Sequence, residues 1–184
     1  LSIEKVIWND SSVDWSNYQL AILKSPWDYF DLIHDFYDWL AKIKQKNIKL
    51  LNPVDVVKWN ADKHYLQDIK NAGLKVTPSS FLTKGDDVNF EKYFEQFNSD
   101  KLIVKPAVSG GSKNTFKVTA TNTEEIIEKL TPLLALEDFI VQPFLNEIEE
   151  NGEWSFLFFG GKFSHSLIKK AKPGDFRVQH SFGG

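Results

Sequence analysis

The segment Leu102–Asn114 joins an apolar run to a short, glycine-containing loop. Lys105 closes the run, and the loop contains Ser109, Gly110, Gly111, Ser112 and Asn114. A lysine on a rigid strand supplies a fixed positive charge, and a flexible backbone supplies N–H groups that can surround phosphate oxygens. We therefore interpret the segment as a nucleotide-binding element, although it matches neither G-x-x-x-x-G-K-[S/T] nor G-x-G-x-x-G. An edge-strand lysine beside a mobile hairpin tip is the alternative.

A second candidate lies at Val141–Leu145, where proline interrupts a predicted strand. Because proline cannot donate to a strand ladder, neighbouring backbone groups can pair with the edge of an adenine. The residues concerned are Gln142, Phe144 and Leu145, and Glu147 follows within reach of a ribose. An ordinary edge strand is the alternative.

A third candidate is the turn between Lys169 and Arg177, since two cations that flank a tight turn can bind anionic oxygens. Arg177 is the only arginine among 22 Lys and Arg residues. A functional role of Arg177 and a codon bias of the genome would explain this rarity equally well. A nucleic-acid patch would need a wider basic field with interleaved aromatics. His165 fits a sheet histidine better than a catalytic base.

Acidic residues recur along a predicted helix, at Asp28, Asp31, Asp35 and Asp38. They lack a convergent partner, so a solvated face is preferred over a metal site.

The 184 residues are 42% hydrophobic and 26% charged, as in ordinary globular proteins. The net charge of −3 argues against nucleic-acid partners. No apolar run approaches the roughly 20 residues of a membrane span, and cysteine is absent. We expect a cytoplasmic protein, seen here as a fragment because residue 1 is not Met.

The pattern of elements predicts an α+β (mixed α/β) fold. Apolar runs indicate strands at Lys5–Trp8 and Gln19–Lys24, and a helix is expected to begin at Ser25-Pro26. A second helix should begin at Asn60, and Asn122 should cap a third. The remaining predicted elements are a helix over 89–97, strands at 80–83, 101–107, 115–120 and 139–145, and a hairpin over 153–170.

The ordered motifs resemble the ATP-grasp superfamily, in particular its glutathione-synthetase and ribosomal-S6-modification (RimK)-type ligases. They are Trp59-Asn60-Ala61-Asp62-Lys63, Val104-Lys105-Pro106, the Ser109–Asn114 loop, Val141-Gln142-Pro143-Phe144, Gly152-Glu153 with Ser155, and Phe176-Arg177-Val178-Gln179 before Gly183-Gly184. The resemblance implies an ATP-grasp domain over 59–184, with a first lobe at 59–137 and the start of a second at 138–184. Its C-terminal end would be missing, and residues 1–58 would be the tail of a preceding small α/β domain.

The resemblance also implies an activity. ATP would lie between the two lobes, with adenine near Gln142, Phe144 and Leu145 and the ribose on Glu147, for which Glu149 or Glu150 are alternatives. Lys63 and Lys105 would hold phosphates under the Ser109–Asn114 loop, and Lys169 and Arg177 would assist catalysis. A substrate carboxylate would become an acyl phosphate that an amine attacks, so the expected partners are small carboxylates and amines. The Mg²⁺ ligands are expected beyond residue 184, so this chain alone should be inactive. The resemblance also implies that a homodimer could form. Two alternative functions are a non-catalytic nucleotide-binding module and a ligand-free structural domain.

Overall fold

The computed structural model describes residues 2–180 and 183–184 and divides into two compact units. The first comprises Leu1–Val76 with Ala107–Gly110, and the second Thr77–Pro106 with Gly111–Gly184. Both units combine helices with strands, so the predicted mixed α/β fold is confirmed. Within the described residues, no helix combines the length and the apolar character that crossing a bilayer requires.

The first unit is built on a strand–helix–strand element. Strands β1 (Leu20–Ile22) and β2 (Lys49–Leu51) pair in parallel, and α1 (Ile33–Gln45) connects them. Two short helices follow, α2 (Val54–Asn60) and α3 (Tyr65–Asn71). The core is rich in aromatic residues, and its buried members are Trp8, Trp15, Phe36, Trp39, Leu40, Ile43, Ile48 and Leu50.

The second unit contains a four-stranded antiparallel sheet in the order β3-β6-β4-β5. Its strands and helices are β3 (Ser80–Leu82), α4 (Phe90–Phe97), β4 (Lys101–Pro106), β5 (Phe116–Thr119), α5 (Thr123–Leu134) and β6 (Phe139–Pro143). One face of the sheet packs on α4 and α5 around fully buried residues such as Phe90, Leu102, Val104 and Leu130. The other face is available to carry a site.

A short helix and a hairpin complete the second unit. Helix α6 (Asn146–Asn151) leads into β7 (Glu153–Phe159) and β8 (Lys162–Lys169), which pair antiparallel. Gly160 and Gly161 turn the hairpin with φ of +56° and +76°, the left-handed values that such a turn requires. Several large apolar side chains of this hairpin are exposed, among them Trp154, Phe156, Phe158 and Phe163.

Three local predictions are wrong, and a fourth is only partly right. Lys5–Trp8 forms no strand, because Val6 and Trp8 pack into the aromatic core without pairing. The first long helix begins at Ile33 rather than at Ser25-Pro26, since Ser25 adopts a left-handed φ of +50°. Asn60 is the last residue of α2, and residues 61–64 divide α2 from α3, so the single helix predicted to begin at Asn60 is interrupted. Asn122 occupies the N-cap position of α5 as predicted, but its side chain makes no capping hydrogen bond and instead accepts from the Thr119 N–H at 2.8 Å.

Candidate functional site

The face of the sheet opposite α4 and α5 carries a group of lysines. Alternation along β4 places Lys101, Ile103 and Lys105 on this face. Residues that oppose one another across antiparallel strands share a face, and Ile103 opposes both Lys117 of β5 and Gln142 of β6. We call this set of five residues the lysine face. It is a cationic surface on rigid strands.

Lys105 is the member of the lysine face with no partner. Within residues 2–180 and 183–184, its ammonium makes no hydrogen bond and no salt bridge. Burial lowers the pKa of Lys105 because desolvation disfavours the charged form, while the carboxylate of Glu153 acts in the opposite direction. An anionic ligand oxygen could therefore bind the Lys105 ammonium without first breaking a salt bridge to a carboxylate.

Glu153 connects Lys105 to a second predicted residue. Lys169 opposes Glu153 across the β7–β8 hairpin, and their side chains form a salt bridge. Since Glu153 also acts on Lys105, all three side chains belong to one charge cluster. Sequence reasoning named Glu153 in a motif without giving it a role. Its place opposite Lys169 in a predicted hairpin was the signal that could have assigned one.

The end of β6 offers one open backbone donor. The Phe144 N–H donates to the Lys101 carbonyl at 2.9 Å, so it is not open to a ligand. The Leu145 N–H, in contrast, has no acceptor in the described part of the chain. Gln142 is buried, and its amide donates to the Ser79 hydroxyl at 2.9 Å. Of the groups predicted to face adenine, the Leu145 N–H is therefore the one ready to bind.

Lys117, which sequence reasoning missed, is fixed beside this point. Its ammonium lies 4.0 Å from the centroid of the Phe144 ring and 2.6 Å from Glu149 Oε1. Glu149 is thus engaged by a lysine, whereas Glu147 is exposed and has no partner among the residues that the structure describes. Among the alternatives for a ribose-binding carboxylate, Glu147 and Glu150 keep their side chains available.

In the first unit, Lys63 holds the start of the Ser109–Asn114 loop. Its ammonium donates to the carbonyl oxygens of Ala107 and Ser109, and to the Ser109 hydroxyl, each at 3.1 Å. An ammonium has three donors, so these bonds use its capacity. Gly110 packs against Phe30 so closely that an added Cβ would lie 2.6 Å from Phe30 Cε1. Lys63 and Gly110 therefore shape the loop, and phosphate binding by either stays a prediction.

The rest of the loop belongs to the second unit and makes a compact turn. Gly111, Ser112 and Asn114 have left-handed φ values of +59°, +61° and +49°. Glycine adopts this conformation without steric cost, whereas serine and asparagine do so less readily. The loop is consequently a defined turn whose part in covering phosphates is still a prediction.

Arg177 is engaged by a near neighbour. Its guanidinium contacts Asp175 in a bidentate pair, with Nε to Oδ1 at 2.9 Å and Nη2 to Oδ2 at 2.8 Å. Hydrogen bonds from Arg177 hold the pKa of the Asp175 carboxyl far below its usual range. The guanidinium of Arg177 thus makes a bidentate contact, but its partner is Asp175 of the same chain and not a ligand.

Comparisons with known proteins bear on both units. A family model described as the D-cycloserine synthetase DcsG N-terminal domain matches residues 1–52. The cycloserine biosynthesis protein DcsG of Streptomyces lavendulae is 26% identical over 175 residues, which are 93% of this chain and 58% of that protein. The chain thus spans somewhat over half the length of this curated relative.

Solved structures show the same relationship. The crystal structure of D-cycloserine synthetase DcsG matches with a TM-score of 0.81 at 26% identity, covering 89% of this chain and 56% of that one. A D-alanine–D-alanine ligase from Bacillus anthracis matches with a TM-score of 0.55 at 18% identity, covering 79% and 48%, and shows the fold alone. These likenesses agree with the ATP-grasp resemblance that the sequence motifs indicated.

Proposed function

We propose that the chain is part of an ATP-dependent ligase that activates a small carboxylate as an acyl phosphate for attack by an amine. The observation that carries this proposal is the unpaired, partly desolvated ammonium of Lys105, which shares a charge cluster with Glu153 and Lys169. A purely structural lysine at this position would be expected to have a partner. The likeness to a cycloserine synthetase supports a ligase that acts on small amino-acid-like molecules. A cytoplasmic location stays a prediction.

The second unit supplies groups suited to each part of a nucleotide. The Leu145 N–H can donate to an adenine ring nitrogen, and the exposed carboxylate of Glu147 can accept from ribose hydroxyls. Lys105 can bind phosphate oxygens, and the turn at Gly111–Asn114 can add backbone donors. Phosphate binding by Lys63, Ser109 and Gly110 of the first unit stays a prediction, and Lys63 would first have to exchange a carbonyl partner for phosphate.

The proposed reaction has two steps. A carboxylate oxygen of the substrate attacks the γ-phosphorus, the bond to the bridging oxygen breaks, and ADP leaves with that electron pair. The amine then attacks the acyl carbon, and inorganic phosphate departs. Lys169 and Arg177 would neutralise charge on the transferring phosphoryl group. Each would first have to leave its present partner, Glu153 or Asp175.

The described part of the chain does not fit a magnesium site, because it contains no group of three or more His, Asp or Glu side chains that could hold a metal ion. A module that binds nucleotide without catalysis is the second candidate. Dimerisation through the first unit stays a prediction.

Calorimetric titration of the chain with ADP and ATP tests the nucleotide site. We expect binding by the unaltered chain and its loss in Lys105→Ala. Lys129→Ala is the matched control, because Lys129 pairs with Glu125 on the exposed side of α5 and the charge change is the same. Equal binding by all three proteins would refute the assignment of Lys105. Turnover with carboxylate and amine substrates separates a ligase from a binding module.

A further inference from the structure

Asn151-Gly152 is the only place in the sequence where a glycine follows an asparagine. The backbone nitrogen of the residue after an asparagine can attack the side-chain carbonyl carbon of that asparagine and close a five-membered ring. A glycine at the second position favours this attack, because it has no side chain to obstruct the ring and its backbone is free to rotate. Each of the other asparagines precedes a residue that carries a side chain.

The two reacting groups lie at the end of α6. Asn151 is the last residue of this helix and is exposed, and its side chain has no hydrogen-bond partner in the described part of the chain. The Gly152 N–H donates to the Ile148 carbonyl at 3.1 Å. The electrophilic carbon is therefore accessible, and the nucleophilic nitrogen becomes available when one hydrogen bond opens.

Helix α6 has little to keep its last turn closed. It contains six residues, none of them buried, and no side chain caps its first turn. Isolated helices shorter than about 12–15 residues are marginally stable in water, so α6 depends on its contacts with the sheet. These contacts join Asn146 to Lys101 and Glu149 to Lys117, and both lie before Asn151 in the chain. Opening at Asn151 should therefore cost little free energy.

The fold nevertheless requires glycine at position 152. Gly152 is buried and has a φ of +90°, and an added Cβ would lie 2.6 Å from the Lys169 carbonyl oxygen and 3.0 Å from Ile168 Cγ1. A side chain here would collide with β8 at the point where Glu153 faces Lys169. The close approach of the chain to β8 thus maintains the reactive pair.

We propose that Asn151 is a site of spontaneous deamidation that alters the charge cluster of Glu153 and Lys169. The Gly152 nitrogen loses its proton to solvent base and forms a bond to Asn151 Cγ. The bond from Cγ to the side-chain nitrogen breaks, and that nitrogen takes up a proton and leaves as ammonia. Water then opens the succinimide at either carbonyl, which gives aspartate or isoaspartate, and no oxidant or reductant takes part.

The two products should differ in their effect on the hairpin. Isoaspartate adds one methylene group to the main chain directly before Gly152, where the packing leaves no room for a further carbon. The start of β7 must then move, and Glu153 moves away from Lys169. Aspartate keeps the length of the main chain and adds only a charge at an exposed position.

Peptide mapping by mass spectrometry tests the reaction on the folded chain during incubation in mildly alkaline buffer. We expect the peptide that contains Asn151 to convert from amide to acid first, and more slowly in mildly acidic buffer, because the glycine nitrogen must lose a proton. Asn146 is the internal control, since it lies in the same helix and precedes Glu147. Conversion at Asn151 no faster than at Asn146 would show that α6 protects the pair and would overturn the proposal.

Hydrogen exchange of β7 tests the structural effect and needs no nucleotide. Wild type enriched in isoaspartate should lose protection at β7, whereas freshly prepared Asn151→Asp should keep it, because this variant carries the charge without the added methylene. Asn151→Gln is the stable control, since its longer side chain would have to close a six-membered ring. Equal protection in the isoaspartate form and in fresh wild type would show that the junction at Gly152 accommodates the extra carbon and would overturn the effect on the charge cluster.

Discussion

Replacing Lys105 with methionine should separate stability from nucleotide binding. Methionine follows the path of the lysine methylenes but brings no charge, so the packing of β4 changes little. The charge that it removes is partly desolvated and unpaired among the described residues, and burying such a charge is unfavourable. After discounting for partial exposure and for the attraction of Glu153, we expect the free energy of unfolding to rise by about 0.5–1 kcal/mol.

The same substitution should weaken ADP binding by about 10- to 100-fold, because a hydrogen bond to a charged group contributes about 1.5–3 kcal/mol. Chemical denaturation measures the first effect and calorimetry the second, with Lys129→Met as the control. A variant that is less stable by more than 1 kcal/mol and binds ADP normally would show that Lys105 is structural.

The pH dependence provides an independent check. The folded-state pKa of Lys105 lies below its usual value of about 10.5, so the unfolded chain binds more protons between these two values. Wild-type stability should therefore rise with pH in that window relative to the methionine variant. The difference in free energy of unfolding between Lys105→Met and the wild type should decrease as the pH is raised towards 10.5. An increase in this difference would contradict a lowered pKa of Lys105.

Three further predictions concern the loop and the turn. Gly110→Ala should lower the free energy of unfolding by about 1–3 kcal/mol, because the new Cβ overlaps the Phe30 ring, and thermal denaturation measures this. If Gly110→Ala is as stable as wild type, the close approach to Phe30 is not a constraint. Lys63→Met should expose the loop to proteolysis and hydrogen exchange, since the Ser109 carbonyl loses its ammonium donor and the Ala107 carbonyl keeps only the Lys63 backbone N–H. Unchanged exchange would contradict the anchoring role. Asp175→Asn should release Arg177 and lower the free energy of unfolding at neutral pH. The wild type should lose the same contribution only as the pH falls below about 4 towards the lowered pKa of Asp175. Identical acid unfolding of both proteins would show that the pair is dispensable.

Sequence reasoning was most successful where periodicity determines the structure. The strand predicted at 101–107 and the hairpin predicted over 153–170 are both confirmed. Both predictions use local signals, because alternation and apolar runs depend on side-chain direction, and glycine permits the left-handed backbone of the hairpin turn.

Other features could not be predicted from the sequence, because they depend on pairing between segments that are distant along the chain. The register that sets Ile103 opposite both Lys117 and Gln142 joins three strands, so the lysine face emerged only in the folded sheet. The strand predicted at Lys5–Trp8 was wrong for a related reason, since its apolar residues pack into a core without a partner strand. Helix α6 was also missed, because its acidic sequence carries no apolar periodicity.

The β7–β8 hairpin has a consequence for handling the chain. A two-stranded sheet leaves backbone groups unpaired along both outer edges, and here those edges adjoin exposed aromatic rings such as Phe156, Phe158 and Phe163. At high concentration, such a surface should recruit further hairpins, first reversibly and then into precipitate. Storage in dilute solution, with a charged substitution at Phe158 as a remedy, should extend the working life of preparations.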